Sequence, residues 1–457
     1  MSTLGQLRNF WILCVTTMVL ACFSDAVAQA SYTVKDLGRL HNWNLGCAMG
    51  LNNQGWTEIM EGNLPPGQQD SSTGTLLTGR VVVDVDGLKT DIGTLGGKNS
   101  WTNYDGLNDR GQAAGYSETA DPDPNGEDIC LFGTHLTCRP FFWQNGHMKA
   151  LPTLGGNNGQ ASAINKHGEV AGFAENGMVD STCPPGDPNN GIILPVLWKN
   201  GKAQPLPTLS GDPDGVAYGV NNQGQAAGYS GTCTFPNAVM WDNGTVTQLP
   251  DLGTPGAVAN AINDQSQIVG QGVDADGNVV GALWQNNTAT SLGLLPGDAT
   301  SLAEGINNQG QIVGSNTDSS GDWSHAFIYQ NGVMTDLNTL FPESSNLYAT
   351  MANEINDRGQ ISGMAIVQNG PHKGDIHAFL ATPVSGSVGK SVADVARTQP
   401  KITLPANVGK QLLRRSGLGR FERSRVFSEL PHPAFQPQVA RRRKARGCAG
   451  QHGSRQY

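Results

Sequence analysis

The chain has 457 residues, of which 15% are charged and 60 are glycine, and its formal net charge is −9 at pH 7. Few charges and many glycines disfavour long helices, which draw on Glu, Lys and Ala, and favour short strands joined by tight turns. The length would accommodate two or three average domains, but a repeat protein of this size also folds as one body.

Residues 1–30 have the features of a secretory signal peptide. Arg8 supplies a positive charge, residues 10–23 form an apolar run, and Ala28-Gln29-Ala30 is a small-residue cleavage site. The run is too short to span a bilayer comfortably, and no transmembrane segment is predicted for the mature chain. We therefore expect a secreted, extracellular protein, with the periplasm or cell surface as alternatives. A lipoprotein processed at Cys22 is the weaker alternative.

An apolar-Asn-x-x-Gly motif recurs after the signal. Its asparagines are Asn52, Asn108, Asn165, Asn221, Asn263, Asn307 and Asn356. Glycine follows three residues later in six copies, and Ser266 replaces it in the fifth. The Asn side chain can bond the backbone two residues on, and Gly tolerates a positive φ, so the motif favours a type I turn. Each copy predicts strand, turn, strand, with the asparagine as a structural turn residue.

A second hairpin follows in each repeat. An apolar strand ending in an aromatic residue precedes Asn-Gly or Asp-Gly, as Met240-Trp241 precedes Asn243-Gly244. Such dipeptides between apolar runs predict a type I′ hairpin turn. The strand after the turn is predicted to end in a Leu-x-x-Leu pattern, which also occurs seven times, as at Leu206/Leu209. Four strands in each repeat of 42–57 residues are typical of propeller blades.

The two ends of the repeat region complement each other. Residues 32–38 form a fourth-type strand with no partner before it, and residues 377–380 form a third-type strand with no hairpin turn after it. Pairing them would leave no open sheet edge. We therefore predict an all-β, seven-bladed β-propeller of four-stranded blades over residues 31–383, closed by pairing of the N-terminal strand with the last repeat. An open β-solenoid is the alternative.

The segment His325-Ala326-Phe327, followed by Asn331-Gly332, resembles the repeat of the bacterial HAF-repeat family of extracellular proteins. Thr94-Leu95-Gly96-Gly97 is also similar to that repeat. The resemblance covers about residues 32–383, although only the sixth and seventh copies keep the whole His-Ala-Phe triplet. It implies export and a repeated all-β body, and it implies no particular activity.

The cysteines suggest two disulfides. Cys130 and Cys138 lie in one loop, and Cys183 and Cys233 lie in corresponding loops of adjacent repeats, so the first pair could bridge locally and the second could link two blades. Free or variably paired thiols are the alternative. None of the six cysteines of the mature chain has the C-x-x-C spacing of a zinc or redox site; the remaining two are Cys47 and Cys448.

Few residues suggest chemistry. Asp121, Asp123 and Asn125 resemble the start of a calcium loop, but Ile129 and Phe132 occupy later positions where an acid would be needed. An ordinary solvated loop is preferred, with calcium as a weak candidate and no other metal or cofactor predicted. The sequence has no serine elbow, Walker loop, dinucleotide fingerprint or catalytic cysteine context, so no catalytic residue is assigned.

Residues 384–457 form a basic tail. They contain 15 basic residues (Lys+Arg) and 3 acidic residues (Asp+Glu), whereas residues 31–383 contain 13 basic and 34 acidic residues. Such a composition is typical of a largely disordered segment. The alternatives are that the tail binds anionic polymer, nucleic acid or lipid headgroups, or folds back on the acidic propeller. Nucleic acid is disfavoured because no aromatic residues are interleaved with the basic run Arg441-Arg442-Arg443-Lys444.

The sequence favours a non-enzymatic binding or surface-interaction module with an unknown extracellular or cell-surface ligand, such as a glycan or a protein. Long divergent loops at residues 115–140 and 172–195 are the expected recognition elements. The alternative is an extracellular polysaccharide hydrolase or lyase with its site at the mouth of the propeller channel. Convergent carboxylates, His or Tyr in a deep mouth would favour the enzyme, and a shallow or plugged mouth would favour binding.

Overall fold

The structure is a computed structural model that describes residues 31–63, 78–319 and 323–384. The predicted signal segment, residues 1–30, and all of the predicted basic tail except Val384 lie outside these residues. The described chain is all-β, with 28 strands and one short 3₁₀ helix, Leu337–Leu340. No helix in the described ranges has the length and apolar character needed to cross a membrane.

The strands follow one another in repeating groups of four. The first eight after the opening strand β1 (Tyr32–Gly38) are β2 (Leu45–Leu51), β3 (Thr57–Asn63), β4 (Thr78–Val85), β5 (Leu88–Asp91), β6 (Gly96–Trp101), β7 (Ala113–Pro122), β8 (Leu136–Gln144) and β9 (His147–Ala150). The next eight are β10 (Gly159–Ile164), β11 (Val170–Val179), β12 (Gly191–Lys199), β13 (Lys202–Pro205), β14 (Asp214–Val220), β15 (Ala226–Thr232), β16 (Phe235–Asp242) and β17 (Thr245–Gln248). The last are β18 (Gly253–Ile262), β19 (Ile268–Asp274), β20 (Val279–Gln285), β21 (Thr288–Ser291), β22 (Thr300–Ile306), β23 (Ile312–Thr317), β24 (Trp323–Gln330), β25 (Val333–Asp336), β26 (Leu347–Ile355), β27 (Ile361–Val367) and β28 (Ile376–Pro383).

Hydrogen bonding joins these strands into antiparallel sheets of four. Within the described ranges, β6–β9, β10–β13, β14–β17, β18–β21 and β22–β25 are five separate four-stranded sheets. The other strands form one eight-stranded sheet with two four-stranded halves, β2–β5 and β26-β27-β28-β1. The two halves meet through one parallel bridge, between Leu45 and Ile376. This succession of similar four-stranded sheets is consistent with a β-propeller.

The first and last strands lie side by side. β1 runs antiparallel to β28, with Tyr32 opposite Pro383, Val34 opposite Ala381 and Gly38 opposite Ala378. The N-terminal segment therefore serves as the fourth strand of a sheet whose other three strands come from the C-terminal end of the repeats. This is the pairing that the unmatched strand types at the two ends predicted.

The hairpin turns explain the Asn-Gly dipeptides. Asn145 and Gly146 both have positive φ, 52° and 81°, as a type I′ turn requires. The fifth unit has no Asn-Gly, and there Asn286 and Asn287 take the two positive-φ positions. The Leu-x-x-Leu pattern differs slightly from the prediction. The outer strands are mostly four residues long, so Leu151 lies just after β9 and not at its end.

Neighbouring units are held together by buried tryptophans. The indole N–H of Trp241 donates to the backbone carbonyl of Pro207, 2.7 Å away, in the Leu-x-x-Leu segment of the preceding unit. Equivalent hydrogen bonds join Trp198 to Pro152 and Trp284 to Pro250, each at 2.8 Å. All three tryptophans are nearly inaccessible to solvent. Each therefore combines a large apolar contact with a satisfied polar group at the junction between two sheets.

Candidate functional site

The motif asparagines build the framework of the site. In the sixth unit, Asn307 Oδ1 accepts hydrogen bonds from the backbone N–H groups of Gln309 and Gln311, at 3.1 and 3.0 Å. Gly310 closes the turn with φ +74°, a conformation that side chains rarely adopt. In the fifth unit Ser266 takes a φ of 57° at the corresponding position, and its hydroxyl donates to Gln225. The turn thus forms in that unit without glycine.

The same asparagines also join the units to one another. Each side-chain Nδ2 donates to the backbone carbonyl of the motif asparagine in the next unit, at 2.9–3.1 Å. The series runs through Asn52, Asn108, Asn165, Asn221, Asn263, Asn307 and Asn356. It then returns from Asn356 to the carbonyl of Asn52. We call this closed series of hydrogen bonds the asparagine belt.

A second ring of polar contacts lies beside the belt. It is formed by the residue that follows each motif asparagine: Asn53, Asp109, Lys166, Asn222, Asp264, Asn308 and Asp357. The backbone N–H of one residue donates to the side-chain oxygen of the next, as from Asn308 to Asp357 at 2.9 Å and from Asp357 to Asn53 at 2.8 Å. The step from Asp109 to Lys166 is missing, because a lysine side chain has no oxygen to accept.

These two rings surround a depression of about 130 Å³, which we call the acidic cup. Besides the residues of the rings, Asp105 and Glu354 line it. Its ionisable lining comprises five carboxyl groups and one amine: Asp105, Asp109, Asp264, Glu354, Asp357 and Lys166. The cup is therefore strongly biased towards binding positive charge.

Asp105 reaches the cup because the second unit departs from the repeat. Its first strand, β6, ends at Trp101, and the following residues form a turn in which Asp105 has φ 44°. The backbone carbonyl of Asp105 accepts from the N–H of Ile164 in the third unit, at 3.0 Å. Tyr104, the preceding residue, hydrogen-bonds Glu304 of the sixth unit. The inserted turn thus links the second unit both to the adjacent third unit and to the sixth unit, which is not its neighbour.

The carboxyl groups of Asp105 and Glu354 have perturbed acidities. The pKa of Asp105 is well above its usual range, first because of burial and then because Asp109, Asp264 and Asp357 repel its charged form. The pKa of Glu354 is also well raised, by burial and by the charges of Asp105 and Asp357, against one opposing hydrogen bond from the N–H of Ile355. Burial and the neighbouring negative charges therefore disfavour the ionised form of both groups.

Two further acids lie in the interior. Burial raises the pKa of Glu58 to about 8, although Thr102 donates a 2.6 Å hydrogen bond to its Oε2. Glu58 Oε1 is buried without a hydrogen-bond partner. Burial also raises the pKa of Glu304 to about 7, against its hydrogen bond with Tyr104. The protein therefore has buried carboxyl groups of raised pKa besides those that line the cup.

The long divergent loops contain one disulfide and one cysteine of a second. Cys130 is bonded to Cys138, and Cys183 is bonded to Cys233, so the second bridge links the third and fourth units as the spacing suggested. Cys47 is buried and free. Cys448 lies outside the described residues.

The suggested calcium loop is organised by a different set of contacts. Asp123 Oδ1 accepts from the backbone N–H groups of Asn125 and Glu127, at 2.8 and 3.0 Å, and its Oδ2 accepts from the Asn158 side chain at 2.9 Å. Asp121 is exposed and takes no part in these contacts. Both oxygens of Asp123 are thus engaged by protein groups. The arrangement is that of an Asx turn anchored on a buried amide.

Sequence reasoning missed the acids of the cup, although the repeat contained a signal for some of them. Two residues before the motif asparagine, the other six units have Gly or Ala, as at Gly305, whereas the seventh has Glu354. When the seven repeats are aligned on the motif asparagine, the position of Glu58 is occupied in the other repeats by small residues such as Ala114 and Val313. A charged residue at a repeat position that is otherwise occupied by small residues is therefore the sequence signal for this site.

No family model matches the chain, and no curated protein matches it. A solved acylaminoacyl peptidase from Pyrococcus horikoshii aligns with a TM-score of 0.44 and 9% identity over 75% of this chain and 53% of its own. The present chain thus spans about half the length of that peptidase. The β-propeller domain of the Trilobed protease from Pyrococcus furiosus, described as having an open velcro topology, aligns with a TM-score of 0.45 and 6% identity. The alignment covers 76% of this chain and 100% of that domain. A gluconolactonase from Xanthomonas campestris aligns with a TM-score of 0.36 and 9% identity, over 79% of this chain and 93% of its own.

Proposed function

We propose that this chain is an exported, closed, seven-bladed β-propeller of the HAF-repeat type that acts as a non-enzymatic binding module, with the acidic cup as its ligand site. The asparagine belt supports seven blades and closure, because its hydrogen bonds pass through seven units and return to the first. The pairing of β1 with β28 supports the same architecture. Two disulfides suit an exported protein, because such bonds persist in oxidising compartments.

The observation that carries the binding proposal is the concentration of five carboxyl groups and one lysine around a single depression. A bound cation would pair with the carboxyl groups of the cup and lower the pKa values of Asp105 and Glu354, which burial and nearby negative charges now raise. The ligand is accordingly a small cationic group. A volume of about 130 Å³ is below the ~300–1,000 Å³ of pockets that enclose whole organic ligands, so the cup accommodates a head group and not a polymer segment.

A directly coordinated metal ion fits the cup less well than an organic cation. Within the described ranges, the cup does not bring ligand oxygens of three acids within 4.8 Å of one another. A bare metal ion needs oxygens at about 2.0–2.6 Å from a common centre. An ammonium or guanidinium group spans more widely separated acceptors through its several N–H donors.

The alternative function is hydrolysis or elimination on an extracellular polysaccharide. The observation that favours it is the raised pKa of Asp105 and Glu354, because a raised pKa is a feature of carboxyl groups that act as general acids. Against it stands the size of the cup, which leaves little room for a sugar ring together with an attacking water.

The test uses the mature chain, residues 31–457, titrated by calorimetry with arginine amide, calcium chloride and neutral oligosaccharides, while product release from polysaccharides is assayed in parallel. The D105N/E354Q variant removes the two cup acids whose pKa values are raised, and E343Q changes an exposed acid that lies outside the cup. The proposal predicts saturable binding of arginine amide that D105N/E354Q loses and E343Q keeps, without any product. Product formation that D105N/E354Q abolishes would establish the alternative function instead.

A further inference from the structure

Two loops of neighbouring units meet at a disulfide that has an acid beside it. Asp180 and Cys183 lie in the loop between β11 and β12 of the third unit, and Cys233 lies in the turn between β15 and β16 of the fourth. Asp180 Oδ2 is 3.4 Å from Cys183 Sγ. Asp180 and Cys233 are both 2% exposed, and Cys183 is half-buried. A buried carboxyl group is therefore in contact with one sulfur of the bridge.

The two sulfurs and the carboxyl group have the spacing of metal ligands. One ligand atom of each residue lies within 4.8 Å of the other two, and no other His, Cys, Asp or Glu residues in the described ranges form such a group of three. Asp180 and Cys183 are separated by two residues, as paired ligands in zinc-binding loops often are. Two sulfurs bonded to zinc at about 2.3 Å are at most about 4.6 Å apart, and a carboxylate oxygen bonds zinc at about 2.0–2.2 Å. All three side chains can thus reach one ion once the sulfur–sulfur bond is open.

Hydrogen bonds through Thr182 join the two loops independently of the disulfide. Thr182 Oγ1 donates to the Asp180 carboxylate, whose two oxygens are 2.7 and 2.8 Å away, and the backbone N–H of Thr182 donates to Asp180 Oδ1 at 2.7 Å. The backbone N–H of Cys233 donates to Thr182 Oγ1 at 2.9 Å. Because these contacts do not pass through the sulfurs, we expect the two thiols to stay adjacent to Asp180 after reduction.

The other disulfide has no third ligand. Among the described residues, no acid or histidine completes a group of three with the sulfurs of Cys130 and Cys138. These two cysteines are 1% and 0% exposed. The Cys130–Cys138 bridge therefore serves as an internal control for any property that depends on reduced cysteines alone.

The ligand set of the first bridge suits zinc. Thiolates are soft ligands that select zinc over calcium and magnesium, which prefer oxygen. Two thiolates and one carboxylate bring three negative charges to a divalent ion, and three protein ligands leave the fourth tetrahedral position to water. Ser181 and Thr182, between the first two ligands, are exposed to solvent. An ion can therefore reach the loop from the surface of the protein.

We propose that Asp180, Cys183 and Cys233 form a zinc site that exists only when the bridge between the two cysteines is reduced. Two molecules of a low-molecular-weight thiol supply two electrons and two protons, become one disulfide and leave Cys183 and Cys233 as thiols. Zinc then displaces both thiol protons to the solvent. In the reverse direction a low-molecular-weight disulfide takes two electrons from the thiolates and, with two protons from the solvent, becomes two thiols. The bridge re-forms and the zinc is released. This site is separate from the acidic cup and does not depend on the proposed function.

Zinc titration of the mature chain, residues 31–457, tests this inference. The chain is reduced with dithiothreitol, freed of the reductant without air and titrated with zinc chloride against a chromogenic chelator. We expect the reduced chain to bind one zinc ion more than the oxidised chain. C130S/C138S should keep this zinc, and C183S/C233S should lose it. Cobalt(II) in place of zinc should give thiolate-to-cobalt charge-transfer absorption in the same proteins that keep the zinc.

The D180N variant tests the acid separately from the sulfurs. Asparagine keeps the size of the side chain and an acceptor for Thr182, and it removes the charge. We expect reduced D180N to bind zinc at least about tenfold more weakly than the reduced native chain, because even the loss of a hydrogen bond to a ligand costs that much. D187N changes a half-buried acid of the same loop outside the group of three, and it should bind zinc as tightly as the native chain.

Several outcomes would overturn the inference. Zinc bound equally by the reduced native chain and by C183S/C233S would do so, and so would equal zinc affinities of D180N and D187N. A reduced native chain that binds no additional zinc, or that loses its circular dichroism spectrum and does not regain it with zinc, would also contradict the inference. If C183S/C233S does not fold, the comparison of D180N with D187N decides the question, because both keep the two cysteines.

Discussion

The side chain of Asn356 donates a hydrogen bond to the backbone carbonyl of Asn52, 2.9 Å away and 304 residues earlier in the chain. This contact joins the last unit to the first through the same atoms that join every other pair of neighbouring units. Each motif asparagine thus has two roles, since its Oδ1 shapes the local turn and its Nδ2 reaches the next unit.

The belt predicts that the hydrogen bond between the last and first units stabilises the fold as much as those in the middle of the belt. Asn356→Asp keeps the Oδ1 acceptor of the turn but replaces the Nδ2 donor with an oxygen that faces the Asn52 carbonyl. We expect a loss of roughly 2–4 kcal/mol in the free energy of unfolding, measured by urea titration. Asn221→Asp, in the middle of the belt, should lose a similar amount. A nearly neutral Asn356→Asp beside a destabilising Asn221→Asp would indicate that the ends do not meet.

The tryptophan contacts predict that equivalent tryptophans in two repeats contribute differently to stability. Trp241→Phe leaves the Pro207 carbonyl without its donor and should cost about 1–3 kcal/mol beyond the lost ring contacts. Trp143 occupies the same column in the second unit, where Gly93 replaces the proline and the indole makes no such hydrogen bond. Trp143→Phe should therefore cost only its lost ring contacts, about 1–3 kcal/mol less than Trp241→Phe. Equal losses in thermal or urea unfolding would show that the hydrogen bond does not stabilise the junction.

Glu58 predicts a pH dependence of stability. Its pKa is about 8 in the folded protein against an ordinary value of 4.5, so the folded state binds the extra proton between these values. Stability should then fall as the pH rises from about 5 to 9. Glu58→Gln removes this loss, and its stability relative to the native chain should rise by on the order of 3 kcal/mol over that range. The exposed Glu343→Gln is the control, and parallel pH profiles for native chain and Glu58→Gln would refute the prediction.

The cup predicts that cation binding is linked to proton release. Asp105 and Glu354 have raised pKa values, and a cation that pairs with them lowers those values, so binding favours the release of their protons. The affinity for arginine amide should therefore increase with pH, and calorimetry in buffers of different ionisation enthalpy should detect released protons. The D105N/E354Q variant should lose this pH dependence. Proton uptake on binding, or an affinity independent of pH in the native chain, would contradict the assigned roles.

Much of the fold could be predicted because each repeat carries its own turn chemistry. Asn-x-x-Gly and Asn-Gly specify local backbone conformations, and the pairing of β1 with β28 followed from strand types that lacked neighbours. The asparagine belt could not be predicted in the same way. The acceptor of each Nδ2 lies 42–57 residues further along the chain, or 304 residues back for Asn356, and becomes apparent only when the units are placed side by side.

The cup was harder to predict than the framework around it. Asp105 enters it because the second unit inserts a turn after Trp101, and its pKa depends on burial, on Asp109 of its own unit, and on Asp264 and Asp357 of two other units. Such convergence is a property of the assembled sheets and not of any one repeat. The long loops are organised by disulfides and by a buried amide, and their role in recognition stays a prediction; the acidic cup lies at the short turns.

Hydrogen exchange at residues 32–38 tests the central claim most directly. If β1 completes the sheet of β26, β27 and β28, peptides from residues 32–38 and 376–383 should be protected to a similar degree in native conditions, and the N356D variant should weaken both together. Exchange of residues 32–38 at the rate of an unstructured peptide, while residues 376–383 remain protected, would contradict closure of the ring.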